Sequence, residues 1–190
     1  MRETAKMTIP YQFKYMLLQH LSGCAIAFIL MMVFSWGFDK SPLKEILSVL
    51  FVLIYAFMLY YGANELAVAD NKPYSRLKPN VFKSFLWGVV ISAITFILFT
   101  LYTLVWKHLG TEGGINFVVT VLTNFVFSIW TYPYVGIIGA SKGYVMMYSF
   151  PFWVIVPIAS TMVGYIAGCR GFLLGEHIQK LVYRQEKKDK

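Results

Sequence analysis

Four long, uninterrupted apolar stretches constrain this chain more than any other feature of its sequence. They cover approximately residues 16–38, 46–68, 84–106 and 150–169. A helix needs about 20 apolar residues to cross the hydrocarbon core of a bilayer. The alternative in lipid, a closed β-barrel, would show strands of alternating apolar and polar residues, and these runs do not alternate. The sequence therefore predicts an all-α, polytopic helical membrane protein.

Composition and length agree with this fold class and exclude a soluble one. Hydrophobic residues make up 58% of the chain and charged residues 14%, whereas soluble domains average roughly 45–50% apolar and about 25% charged residues. A soluble core of this size cannot bury such a surplus, but lipid can cover it. The 190 residues are therefore expected to form a single helical membrane domain over 1–190.

The basic residues indicate which way the spans run. The N-terminus, the loop after the second run and the C-terminal tail together hold 13 of the 17 lysines and arginines. Because short cytoplasmic loops carry an excess of these residues, we expect both termini to be cytoplasmic. The net charge of +8 is then a topology signal and a means of contacting anionic lipid headgroups, and it does not indicate nucleic-acid binding.

The segment 115–140 conflicts with this topology if it crosses the membrane. With Lys107 outside and Arg170 inside, the chain between them must cross an odd number of times, and its length allows one crossing, by 150–169. We therefore predict that 115–140 is a re-entrant or interfacial element that enters and leaves on the outer side. Pro133 and the glycines after it suit a broken helix. The alternative is an ordinary fifth span that violates the charge rule once.

The C-terminal tail, residues 172–190, carries an amphipathic pattern. Its apolar residues recur at helical spacing while its charged residues face elsewhere. This pattern predicts a surface helix on the cytoplasmic face of the membrane.

Three small residues, Ser160, Gly164 and Gly168, recur at every fourth position of the last run. This spacing places them on one face of a helix, where they let a neighbouring backbone approach closely. They are predicted to form either a packing seam against the chain's own spans or a contact with a partner or second copy.

Polar side chains within spans are costly and mark candidate sites. The second run carries three of them near its cytoplasmic end, namely Asn64, Glu65 and Asp70. We expect Glu65 to reach Lys72 or Arg76 at the interface. The alternative is a proton or ligand site open to the cytoplasm, and His20 is a possible partner for Glu65.

The broken segment contains four further candidates for a pocket, namely Asn124, Trp130, Tyr132 and Tyr134. An asparagine there can satisfy backbone groups freed by the break, and the aromatic rings suit the membrane interface. Lys142 is expected to snorkel to the outer surface.

Signatures of catalysis are missing from the sequence. The three histidines are far apart, and neither a metal-binding HExxH helix nor a GxSxG nucleophile motif occurs. Cys24 and Cys169 lie at the ends of apolar runs without metal-ligand spacing. We therefore expect no enzyme activity, disulfide framework, metal site or cofactor.

Two strings resemble a family of small multi-span membrane proteins of Gram-positive bacteria. They are YYGANELAVADNKPY, over Tyr60–Tyr74, and YIAGCRGFLLGEHIQKLVY, over Tyr165–Tyr183. Each string ends a span and leads into a basic segment. The resemblance implies a bacterial plasma membrane and supplies neither an activity nor a site.

Two hypotheses for function follow. The first is a non-catalytic membrane subunit or accessory protein that binds other membrane subunits and lipids. The second is a small-molecule transporter or substrate-binding membrane component, with the broken segment as its pocket. In size the chain is similar to the vitamin-binding subunits of energy-coupling transporters, whose first span often carries an Ala-xxx-Ala motif. The first span here departs from that motif, because it offers only Gly23 and Ala27 at the same spacing.

Overall fold

A computed structural model of the chain describes residues 8–34, 43–73, 75, 77–109, 114–134 and 145–172. In these ranges the chain forms five α-helices and a short 3₁₀ turn: α1 (Ile9–Phe34), α2 (Leu43–Asp70), α3 (Val81–Leu109), α4 (Ile115–Trp130), the turn Tyr132–Tyr134 and α5 (Val145–Cys169). Helices α1, α2, α3 and α5 are long and apolar enough to cross a membrane, while α4 is a shorter apolar helix. The predicted all-α fold of four spans and one shorter element is confirmed.

Some predictions fall on positions outside the described residues, namely Arg76, Lys142, 35–38, 135–140 and 173–190. Elsewhere, the helices extend beyond their apolar runs. Helix α1 begins at Ile9, well before the run at 16, and one side of its first turns packs on the bundle. Gln12, for example, is fully buried and donates a hydrogen bond to Asp70.

Helix α5 packs between α2 and α3. It runs antiparallel to α3, since Thr161 donates to the Ser84 carbonyl and Ser92 donates to the Trp153 carbonyl. It runs parallel to α2, since Gly164 lies against Tyr60 and Gly168, one turn later, lies against Asn64. The end of α2 and the end of α5 therefore lie at the same end of the bundle.

The beginning of α1 and the beginning of α3 lie at this end too, because Gln12 and Lys83 both contact Asp70. The three segments that carry most of the basic residues thus attach to one end of the bundle, which agrees with the predicted common side of the membrane. We call this end the basic end. Its assignment to the cytoplasm stays a prediction.

Helix α4 follows only half of the bundle. It starts near the end of α3 and returns along it, so that Trp130 donates to Thr95, near the middle of the 29-residue α3. Trp153 lies beside Ser92, and the eight residues before it rise about 12 Å at 1.5 Å per residue, so α5 begins at about the level of residue 100 of α3, in the half of the bundle that α4 occupies. Helix α4 thus covers about half the length of α3 and does not cross to the other end of the bundle, which is the geometry expected of a re-entrant element.

Aromatic residues fill the centre of the bundle, and apolar residues cover its outside. Trp153, Tyr55 and Tyr165 are almost fully buried. Large apolar residues on the outer faces of the four long helices are roughly half exposed, among them Ile29, Leu53, Ile97 and Ile155. An apolar exterior of this kind suits contact with lipid acyl chains.

Candidate functional site

One buried carboxylate joins all four long helices at the basic end. Asp70 of α2 is 3% exposed. It accepts hydrogen bonds from Gln12 of α1 at 2.7 Å, from Lys83 of α3 at 2.5 Å and from Tyr165 of α5 at 2.6 Å. The Tyr165 hydroxyl also accepts from the backbone N–H of Asn80. We call this cluster the Asp70 hub, and the three hydrogen bonds that the buried carboxylate accepts give it a structural role.

Glu65 lies between α1 and α2 and contacts tyrosines. The hydroxyls of Tyr15 and Tyr61 both donate to its carboxylate, and Gln19 donates to the Tyr15 hydroxyl. These contacts differ from a pairing with His20, whose Nδ1 lies 2.8 Å from the Tyr55 hydroxyl instead, while the expected pairing with Lys72 stays a prediction. Successive helix residues are rotated by about 100°, so His20 lies on a different face of α1 from Gln19, whose amide donates to the Tyr15 hydroxyl.

The neighbouring candidate Asn64 connects α2 to the end of α5. Its side-chain amide donates to the carbonyls of Gly164 and Phe172, at 3.3 and 2.9 Å. Both acceptors are backbone atoms of the chain itself. Asn64 therefore has a packing role in the structure and does not face an open pocket.

A second polar cluster lies near the middle of the bundle, and we call it the His20 cluster. His20 Nδ1 is 2.8 Å from the Tyr55 hydroxyl, and its ring lies 4.2 Å from that of Trp130. The Cys24 thiol donates to the Trp130 carbonyl at 3.2 Å and lies 3.6 Å from His20 Nε2. The Tyr134 ring packs edge-on against Tyr55.

The hydrogen bonds of the His20 cluster have a definite direction. A thiol that donates to the Trp130 carbonyl can only accept from His20 Nε2–H, which leaves Nδ1 to accept from the Tyr55 hydroxyl. The hydroxyl of the buried Tyr134 also lies within interaction range of the Tyr55 hydroxyl.

The structure brings together two of the four candidates predicted in the broken segment. Trp130 and Tyr134 both join the His20 cluster. Tyr132 instead packs edge-on against Phe28, with ring centroids 5.0 Å apart. Asn124 is exposed on α4 and accepts from Ser128, so it does not contribute to the cluster.

Sequence reasoning missed His20, Cys24 and Tyr55 as members of one site. The spacing of His20 and Cys24, four residues apart in a helix, places them on one face and was the available signal. Their convergence with Tyr55 depends on how α1 packs on α2. Among the described residues, no group of three or more His, Cys, Asp and Glu side chains is arranged to hold a metal ion.

Gly164 and Gly168, which form a small-residue stripe with Ser160, face α2 of the same chain. A Cβ at Gly164 would lie 2.3 Å from the Tyr60 carbonyl oxygen, and one at Gly168 would lie 2.6 Å from that of Asn64. Helix α5 therefore packs directly on the backbone of α2. Ser160, one turn earlier, is only half-buried.

Ser160 belongs to a shallow groove between α2 and α5 of about 320 Å³. We call it the α2–α5 groove, and its lining residues are Ala56, Phe57, Tyr60, Ala159, Ser160 and Val163. The lining is largely apolar and includes several small side chains. It is a surface that another helix or a lipid chain can approach closely.

Comparison of the chain with protein-family models, curated proteins and solved structures gave no match. The resemblance to small multi-span proteins of Gram-positive bacteria therefore stays a prediction.

Proposed function

We propose that the protein is a non-catalytic integral membrane subunit or accessory protein that binds other membrane proteins and lipids. The observation that carries this proposal is the α2–α5 groove. Its small residues Ala56, Ala159 and Ser160 lie on the outer surface, where they let a partner helix approach the backbone. Gly164 and Gly168 pack against α2 of the same chain, so the partner contact is assigned to Ser160 and its neighbours.

Lipid contact is assigned to the basic end of the bundle. Lys14, Lys78 and Arg170 are exposed there, whereas Lys83 is paired with the buried Asp70. Exposed lysines and arginines near a membrane surface attract anionic headgroups by about 1 kcal/mol each. This supports the proposed binding of anionic lipids alongside protein partners.

The partner proposal is tested by photocrosslinking in native membranes. We expect a benzoylphenylalanine at position 160 to give a discrete adduct with another membrane protein, which also co-purifies with the unmodified chain. The matched control is the same probe at Ile97, which is 56% exposed on α3 and does not line the groove. Equal adducts at both positions, or none at position 160, would contradict the proposal.

A second candidate function, a transporter or substrate-binding component, is favoured by the His20 cluster. Transporter sites commonly lie near the membrane midplane, where broken helices meet ionisable side chains. In this chain the end of α4 brings Trp130 to His20, and the turn after it brings the buried Tyr134 to Tyr55. Under this proposal, water and solutes reach the cluster during the transport cycle.

The accessibility of the Cys24 thiol to a water-soluble reagent distinguishes the transporter proposal from the subunit proposal. In a Cys169→Ser background, a membrane-impermeant methanethiosulfonate should label Cys24 from one side of the membrane. Trp130→Ala should accelerate labelling about tenfold, because the indole covers His20. The control is Ala27→Cys in a chain whose two native cysteines are serine, since Ala27 is equally buried one turn away. Labelling of Cys24 as slow as that control would count against a transport pathway.

A further inference from the structure

Helix α4 is the least covered helix of the bundle. Only Thr120 and Phe127 are buried along its length. Its large apolar side chains are 37–79% exposed, among them Ile115, Phe117, Val121, Leu122 and Phe125. The helix therefore packs on α3 along one side and leaves the rest of its circumference to lipid or to a partner.

One polar side chain on this exposed surface has unused hydrogen-bonding groups. Asn124 is exposed, and its carbonyl oxygen accepts from Ser128 at 3.4 Å. Its two amide N–H donors make no hydrogen bond within the described part of the chain. The hydroxyls of Thr120 and Thr123 differ, because each donates to a carbonyl of its own helix.

The position of Asn124 along α4 places it below the membrane surface. Trp130 pairs with Thr95, which lies roughly 18 Å along α3 from Lys107 at 1.5 Å per residue. Six residues back along α4, or roughly 9 Å, bring Asn124 to a level about 9 Å inside that of Lys107. An amide with free donors is unfavourable in hydrocarbon and gains most from a hydrogen-bonding partner in another helix.

The residues around Asn124 form a stripe suited to helix pairing. Phe117, Val121, Asn124 and Ser128 follow one another at spacings of four, three and four. This is the heptad spacing that brings two helices together at a small crossing angle. Phe117 and Val121 are about half exposed, so most of the stripe is open to a neighbouring helix.

We propose that α4 pairs with α4 of a second copy of this chain, with Asn124 at the two-fold axis. A carboxamide carries both donors and an acceptor and is therefore complementary to itself. In a two-fold interface a residue that lies on the axis meets its own counterpart, so two Asn124 side chains placed there can satisfy each other. This contact uses a different helix from the α2–α5 groove and goes beyond the proposed function.

Cysteine crosslinking in membranes tests the geometry. In a Cys169→Ser background, Asn124→Cys should form a disulfide-linked dimer of twice the chain mass upon mild oxidation. Leu122→Cys is the matched control, because Leu122 is 57% exposed on another face of α4. Comparable dimer at both positions, or adducts only with a different protein, would overturn the two-fold pairing.

The energetic role of the amide is tested by single-molecule photobleaching in lipid vesicles across a range of protein-to-lipid ratios. The wild-type chain should dimerise, Asn124→Gln should retain dimerisation, and Asn124→Val should weaken it about tenfold. Because Asn124 is exposed, thermal stability of all three should be equal, which separates self-association from folding. A wild-type chain that stays monomeric at every ratio would refute the proposal, whatever the result of crosslinking at position 160.

Discussion

Asp70→Ala is expected to lower the free energy of unfolding by about 3–5 kcal/mol, the range seen when one partner of a buried ion pair is removed. The substitution leaves three donors without their acceptor, on Gln12, Lys83 and Tyr165. Each donor belongs to a different helix, so the loss should loosen the whole basic end. The measurement is unfolding of the purified protein by SDS in mixed micelles, followed by circular dichroism.

Two further variants separate charge from hydrogen bonding at the hub. Asp70→Asn keeps an acceptor oxygen for Gln12 or Tyr165 and should lose less stability than Asp70→Ala. Lys83→Met removes the ion pair, whose N–O distance is 2.5 Å. The double variant Asp70→Ala/Lys83→Met should lose less stability than the sum of the two single variants, since the effects of substitutions at contacting residues are not additive. A stability of Asp70→Ala within about 1 kcal/mol of wild type would show that the hub is dispensable.

The architecture was largely predictable because it depends on apolar run length and on the distribution of basic residues, both of which can be read from one sequence. Continuous apolar runs locate the spans, and lysine and arginine positions determine how many crossings fit between Lys107 and Arg170. The half-length path of α4 agrees with that parity argument. Helix ends were less predictable, because the polar start of α1 is stabilised by Asp70, a residue 58 positions away.

The polar clusters were only partly predictable because their members come from helices that are distant in sequence. Glu65 was identified as a candidate, but its tyrosine partner on α1 depends on which face of α1 meets α2. Trp130 and Tyr134 were identified from composition, whereas their contact with His20 requires the end of α4 to reach α1. Nothing in a single sequence specifies which helices are neighbours.

Gly164→Leu is expected to prevent native packing of the bundle. Even a Cβ at this position would lie 2.3 Å from the Tyr60 carbonyl oxygen and 2.9 Å from the Tyr60 Cα. These are backbone atoms of α2, so no side-chain rotation relieves the clash and the two helices must separate. Overpacking typically costs about 1–3 kcal/mol where the surroundings can adjust, and we expect Gly164→Ala to approach the upper end of that range and Gly164→Leu to exceed it.

Ser160→Leu is the matched control, because Ser160 lies one turn away on the same helix and is half-buried. Its melting temperature in detergent should stay close to wild type, while Gly164→Leu should aggregate or melt at least 10 °C lower, since about 1 kcal/mol shifts the melting temperature by roughly 2–4 °C for a chain of this size. The two variants also separate the two interpretations of the small-residue stripe. If Gly164→Leu melts like wild type but loses a partner, the glycine faces another chain. If Gly164→Leu is destabilised while Ser160→Leu is stable and loses its partner, internal packing and partner contact are separated by a single turn of α5.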